Sequence, residues 1–342
     1  MRKVFVNIVL ILAVFMTGFV SAQTDSDLYS HVVKPRARII IDNDFCGDPD
    51  GLYQLVQHIL SPSVEIKAII GSHLYSGGFY GVPGTAKQSC VEVNELLKVM
   101  KISRKIPVLL GAESGLIDLK TPSISEGSKL IVDEAMKDDK TPLFVVCGAG
   151  LTTIASAYLL EPKIAERVHL VWIGGPEYAT LAMAPPQGRA LEYNLGIDIQ
   201  AAQVIFNSSD IPLWQVPRNV YRQALFSYSE IYSRLNDKGS IGKYLIQKLD
   251  NLLVRAKRSL GEAYVLGDSP LVLLTSLQSA WEIDPSSSNY VIMQAPHVNA
   301  KGLYEENPQG RKIRVYTQID NRLMWEDLVS KLAIKNSKNK TK

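Results

Sequence analysis

Short apolar runs alternate with segments of helical period along most of this chain. Runs of strand length stand at residues 38–41, 64–71, 106–111, 143–148 and 168–175. Between them, apolar residues recur at three- and four-residue spacing: Leu52, Val56 and Ile59, then Val91, Val93, Leu96, Leu97 and Met100, then Leu130, Ile131 and Met136. Run length places the first set in strands, and the helical period places the second in helices. A strand that alternates with a helix implies right-handed crossovers and a parallel sheet. The pattern continues as a helix at 201–206 and a strand at 211–216, then loosens into a long helical region at 228–260. Strands at 290–293 and 313–317 and a closing helix at 323–333 complete it. The expected fold is an α/β protein with an open, mostly parallel sheet flanked by helices and extra helices in its C-terminal half.

The ends read differently. Arg2 and Lys3 precede an apolar run over 4–20, and Val20-Ser21-Ala22 follows with the small residues a signal peptidase prefers. The run is shorter than the roughly 20 residues of a membrane span, and no cysteine follows it to carry a lipid. The expectation is a cleaved leader over 1–22, a linker over 23–36, one domain over 37–334 and a basic polar tail over 335–342. This makes the protein exported, periplasmic and free of the membrane after cleavage.

A formal net charge of +3 is small, and the basic residues gather at Lys34-Pro35-Arg36 and in the tail, as solvated ends. That distribution argues against a nucleic-acid partner. Three cysteines, Cys46, Cys90 and Cys147, form no close pair, so buried thiols are expected in place of a disulfide framework. A homo-oligomer is left open.

The chemistry begins after the first strand, where Asp42-Asn43-Asp44-Phe45-Cys46-Gly47-Asp48-Pro49-Asp50 places four carboxylates in nine positions. Like charges at a strand end repel unless a cation neutralises them, and a hard, oxygen-ligated ion does so well. Asp48 or Asp50 capping the next helix is the rival reading. An EF-hand is excluded, since Tyr53 stands where the bidentate Glu belongs and a strand precedes the loop.

A strand running into Asp-x-Asp, a glycine-bearing loop and further aspartates before a helix resembles the signature of the nucleoside hydrolase family. Three further segments are similar to that family. The first runs from Leu143 through Gly148-Ala149-Gly150-Leu151-Thr152-Thr153 to Trp172-Ile173-Gly174-Gly175, the second is Glu192-Tyr193-Asn194, and the third is Gly267-Asp268-Ser269-Pro270-Leu271. Without the family, Gly148-Ala149-Gly150 suggests a dinucleotide loop, but Thr153 occupies its third glycine position.

The resemblance implies calcium held by Asp44, Asp50, Asp268 and the Gly148 carbonyl, with Asp48 as the base that takes a proton from the ion-bound water. It implies Glu192 and Asn194 as sugar-binding residues, and Ser72 and His73 as further substrate contacts. The activity implied is hydrolysis of the N-glycosidic bond of a ribonucleoside or related ribosyl compound. The chain departs from the family pattern at Pro49, an extra residue in the acidic loop, and at Gly267, where many relatives carry a histidine that helps the base leave. Gln187 or Arg189 stands near the place of a usual asparagine, and Arg189 hints at an anionic or larger substrate. A sugar-binding protein without turnover, or a hydrolase of another glycoside, is the alternative.

Overall fold

A computed structural model describes residues 31–102, 104–281 and 287–340. The leader over 1–22, the first part of the linker and the last two residues lie outside them. Six strands follow the expected rhythm: β1 (Ala37–Asn43), β2 (Val64–Gly71), β3 (Val108–Leu110), β4 (Leu143–Cys147), β5 (Val168–Ile173) and β6 (Leu213–Val216). Two small ribbons follow, β7 (Leu225–Ser227) with β8 (Ala263–Val265) and β10 (His297–Val298) with β11 (Tyr304–Glu305). Strands β9 (Asn289–Gln294) and β12 (Lys312–Gln318) extend the main sheet.

That sheet has eight strands in the order β3-β2-β1-β4-β5-β6-β12-β9. All neighbours are parallel except β9, which runs antiparallel to β12 at the edge. After β1 the chain works outward to β3 and then returns to β4 on the other flank of β1. The order therefore reverses between β1 and β4, and the crevice beyond their carboxyl ends is where open sheets of this kind bind ligands.

Helices α1 (Asp50–Ile59), α2 (Ala86–Val99), α3 (Glu126–Ala135) and α4 (Thr152–Leu160) make the early crossovers. Short α5 (Tyr193–Ile197), α6 (Ile199–Gln203) and α7 (Arg218–Tyr221) surround β6 in sequence, then α8 (Tyr228–Leu235), α9 (Gly239–Ala256), α10 (Pro270–Thr275) and α11 (Asn321–Lys340) follow. The pleat sends β1 side chains alternately to two cores. Ile39 and Ile41 join the layer that contains residues of α1, α9, α10 and α11, while Ile40 joins that of α3, α4 and α6.

Several boundaries differ from the periodicity for local reasons. The long helical region breaks between Leu235 and Gly239, where Gly239 takes φ +71°, a left-handed conformation that interrupts a right-handed helix. Val91 and Met136 turn outward, and the buried positions of α2 are Ala86, Ser89, Val93 and Leu96. The helix expected at 201–206 passes from α6 into one wider π turn at Val204–Ser208. The basic tail is corrected over 335–340, which continue α11, with Lys335 buried. Arg36 is likewise no solvated end, since its guanidinium donates to the Thr275 carbonyl at 3.3 Å. All three cysteines are free thiols, and among the described residues no helix is long and apolar enough to cross a membrane.

Truncating a fully buried side chain on the central strand removes its burial energy and leaves a cavity, so Ile40→Ala is expected to lower stability by about 3 kcal/mol in urea unfolding. Ile124→Ala, at an exposed position, is expected to change it by less than about 0.5 kcal/mol. Equal losses for the two would contradict this placement of the core.

Candidate active site

The carboxyl ends of β1 and β4 open onto a cleft of about 520 Å³ lined by Asp44, Asp48, Asp50, Gly148, Glu192, Asn194 and Asp268. Residues distant in sequence thus meet at the predicted crevice. Asp44 follows β1 directly, and the Gly47 amide closes a tight turn on the Asp44 carbonyl at 2.8 Å. The loop then delivers Asp48 and begins α1 at Asp50. Neither aspartate caps that helix: its N-cap is Pro49, with no side-chain cap bond. Asp48 Oδ1 instead accepts from the Asp50 amide at 3.3 Å, and its Oδ2 accepts from the Tyr264 hydroxyl at 2.9 Å.

Asp268 arrives from the far end of the chain. Its carboxylate does not cap α10, whose N-cap is Ser269 without a side-chain bond. It turns to Asn43, whose Nδ2 donates to Asp268 Oδ2 at 2.8 Å. Gly148 sits tightly against the same amide, because a Cβ there would lie 2.5 Å from Asn43 Nδ2. The Gly148 carbonyl accepts from Asn194 Nδ2 at 2.9 Å, and that amide group also reaches the Ile173 carbonyl at 2.8 Å. Glu192 Oε2 accepts from the amides of Gly175 and Leu195, and its Oε1 accepts from the Tyr221 hydroxyl at 2.9 Å.

Electrostatics set this group apart. Burial, then repulsion from Asp268 and Asp48, holds Asp44 and Asp50 well above the usual carboxylate range. Asp268 is pushed up to about 7, chiefly by burial and against the hydrogen bond from Asn43. Buried carboxylates that resist ionisation together, beside a backbone carbonyl, are a donor set suited to a hard divalent cation. Among the described residues no three His, Cys, Asp or Glu are already gathered as a ligand set. The Asn43 amide donates to Asp268 and the Asn194 amide to the Gly148 carbonyl, which fixes both groups at the cleft. The donor chemistry fits an oxygen-loving ion, and the glycine-rich loop after β4 faces carboxylates, which does not suit a dinucleotide phosphate.

Ser72 and His73 do not line the cleft. Ser72 is buried with its hydroxyl donating to Asp42, and His73 is buried with Nδ1 2.8 Å from the Leu74 carbonyl and Nε2 3.0 Å from Thr152 Oγ1. Both are tied into the protein beside the cleft, so as direct substrate contacts they are corrected to supporting positions. Gln187 and Arg189 line a neighbouring cavity. The sequence reading missed Asn43, Tyr221 and Tyr264. Asn43 stood within the acidic loop, but the two tyrosines are brought in by α7 and by the β7–β8 ribbon, which carry no motif. It also missed the apolar wall of Leu252, Leu253, Ala256 and Leu260 at and beyond the end of α9.

Known proteins resemble this arrangement at two levels. Residues 39–326 match the family described as inosine-uridine preferring nucleoside hydrolase. The Leishmania major inosine-uridine preferring nucleoside hydrolase is 38% identical over 81 residues, 24% of each chain, so the aligned part spans about a quarter of that curated relative. An inosine-guanosine nucleoside hydrolase superposes with a TM-score of 0.65 at 18% identity, over 86% of this chain and 99% of its own. A purine-preferring ribonucleoside hydrolase from Gardnerella vaginalis does so with a TM-score of 0.66 at 18% identity, over 87% and 99%. At that identity the structural likeness concerns the fold.

Burial of the Asp268 carboxylate has a measurable consequence. Asp268 ionises near 3.8 when unfolded and near 7 when folded, so between those values the folded state binds more protons and its stability falls as pH rises. In chelator, the thermal midpoint is expected to drop from about pH 4 to about pH 7. Asp268→Asn should reduce that drop, and millimolar calcium should remove it. A slope indifferent to both changes would count against the cation site.

Proposed function

The chain belongs to the inosine-uridine preferring nucleoside hydrolase family, and from that premise we propose that its acidic cleft hydrolyses the N-glycosidic bond of a ribonucleoside or related ribosyl compound. The observation that carries this reading is the meeting of Asp44, Asp50 and Asp268 with Gly148 around one cleft, with Asp48 beside them. Asp44, Asp50, Asp268 and the Gly148 carbonyl would hold the ion, which we take to be calcium. When bound, such an ion supplies Lewis acidity and orients sugar hydroxyls.

Cleavage of an N-glycoside needs a water on one face of an electron-poor sugar and a base to take its proton. Asp48 fits that task, because the bonds from Tyr264 and the Asp50 amide fix its orientation while a carboxylate keeps further lone pairs free. Glu192 and the Asn194 Oδ1 would accept from sugar hydroxyls, the Asn194 Nδ2 being committed to the Gly148 and Ile173 carbonyls. The apolar flank of Leu252, Leu253 and Leu260 offers a surface for a planar base. At Gly267 a Cβ would meet Asp50 Oδ2 at 3.3 Å and the Tyr221 ring at 3.5 Å. A leaving-group acid is therefore not supplied from that position, and the hydroxyl-bearing residues that line the cleft are Tyr80, Tyr193, Tyr221, Tyr264 and Ser259. We also propose that the protein acts after export to the periplasm, from the apolar leader before Ala22; recovery from whole-cell fractions without leader removal would contradict it.

The test is release of reducing sugar from a ribonucleoside panel, with calcium and with chelator. Release only with calcium is expected, and no release alongside retained ribose binding would favour a sugar-binding protein. Asp48→Asn is expected to lower kcat by about a thousandfold while keeping the calcium-induced rise in thermal midpoint. Asp50→Asn and Asp268→Asn are expected to lose that rise. Loss of the calcium response in Asp48→Asn would instead exchange the roles of Asp48 and Asp50.

A further inference from the structure

A second cavity, of about 650 Å³, adjoins the acidic cleft and shares Tyr193, Tyr221 and Arg222 with it. The cleft alone has the volume of an ordinary small-molecule site, so a neutral nucleoside has no need of the second space. Its charge is opposite to that of the cleft. Arg189, Arg218 and Arg222 line it, and among the described residues no aspartate or glutamate does.

Arg218 is already committed: its guanidinium pairs with both oxygens of Glu177, at 2.8 and 2.5 Å, and donates to the Arg189 carbonyl at 2.6 Å. Arg189 and Arg222 are exposed, and no ion pair holds either guanidinium among the described residues. Glu192, a carboxylate of the cleft, accepts from the Gly175 and Leu195 amides and the Tyr221 hydroxyl. The Arg189 charge acts on the Tyr75 hydroxyl, which donates to the Tyr193 carbonyl, and the Arg222 charge acts on the Tyr221 hydroxyl. Arg222 lines both cavities where they meet, and Arg189 lines the second. Planar guanidinium groups bind phosphate through paired, charge-assisted hydrogen bonds.

We propose that this second cavity is an anion subsite that binds a phosphate carried by the substrate, so that the ribosyl compound taken by the cleft is a phosphorylated one. The proposal rests on the reading of the cleft as an N-glycoside hydrolase site.

The full chain, loaded with calcium, is assayed for kcat/KM on inosine, adenosine and uridine, each against its 5′- and 3′-monophosphate. At least one monophosphate is expected to exceed its nucleoside by about tenfold or more. In the Arg189→Ala/Arg222→Ala double variant that ratio should fall to about one, and Arg189→Lys/Arg222→Lys should recover part of it. A wild-type ratio at or below one, or a ratio untouched by the double alanine change, overturns the subsite. If nothing is hydrolysed, the hydrolase reading falls by itself. Calorimetric binding of the same pairs then decides the subsite: tighter binding of the monophosphate that the double variant loses supports it, and equal binding overturns it.

Discussion

Carboxylates crowded together on the floor of one cleft are the constraint on which this molecule turns. Burial holds each of Asp44, Asp50 and Asp268 above the usual carboxylate range, helped by repulsion from Asp268 and Asp48 at the first two and from Asp48 at the third. Such a group persists only where a framework holds it rigidly, because each side chain is more stable facing water. The framework here is the point at which the sheet reverses its order. β1 ends in Asn43 and Asp44, its neighbour β4 ends just before Gly148, and the loop before α10 brings Asp268 against Asn43. Asn43 is the pivot, since its one amide both binds Asp268 and leaves room for no side chain at Gly148.

Around this rigid floor the rim is assembled from elements of quite different origin. The β7–β8 ribbon supplies Tyr264 to Asp48, and α7 supplies Tyr221 to Glu192. The end of α9 supplies an apolar wall, made possible because Gly239 and Lys257 take left-handed conformations at its two ends. Beyond Tyr193 and Tyr221 the charge of the walls changes from negative to positive. A ligand lying across both spaces would meet carboxylate oxygens at one end and guanidinium groups at the other. This division of labour, with invariant geometry in the strands and selectivity in the connections, follows from how open α/β sheets are built.

The sequence by itself determined the sheet and the acidic loop that lines the cleft at its carboxyl edge. The strand over 143–147 was legible because buried parallel strands are continuous apolar runs, and that over 64–71 through its apolar end Ala68-Ile69-Ile70. Asp44, Asp48 and Asp50 were legible because four carboxylates in a short loop have no ordinary structural use. Asp268, Glu192 and Asn194 were legible through resemblance, since each alone reads as a helix cap, and Glu192 does cap α5. Tertiary structure decided the rest. Whether Ser72 and His73 face the cleft depends on hydrogen bonds to Asp42 and Thr152, which lie elsewhere in the chain. Tyr221, Tyr264 and the pair Arg189 and Arg222 acquire their places only when separate elements pack together. Periodicity records which face of an element is buried, but which neighbours share a cavity is fixed by contacts between residues far apart in sequence.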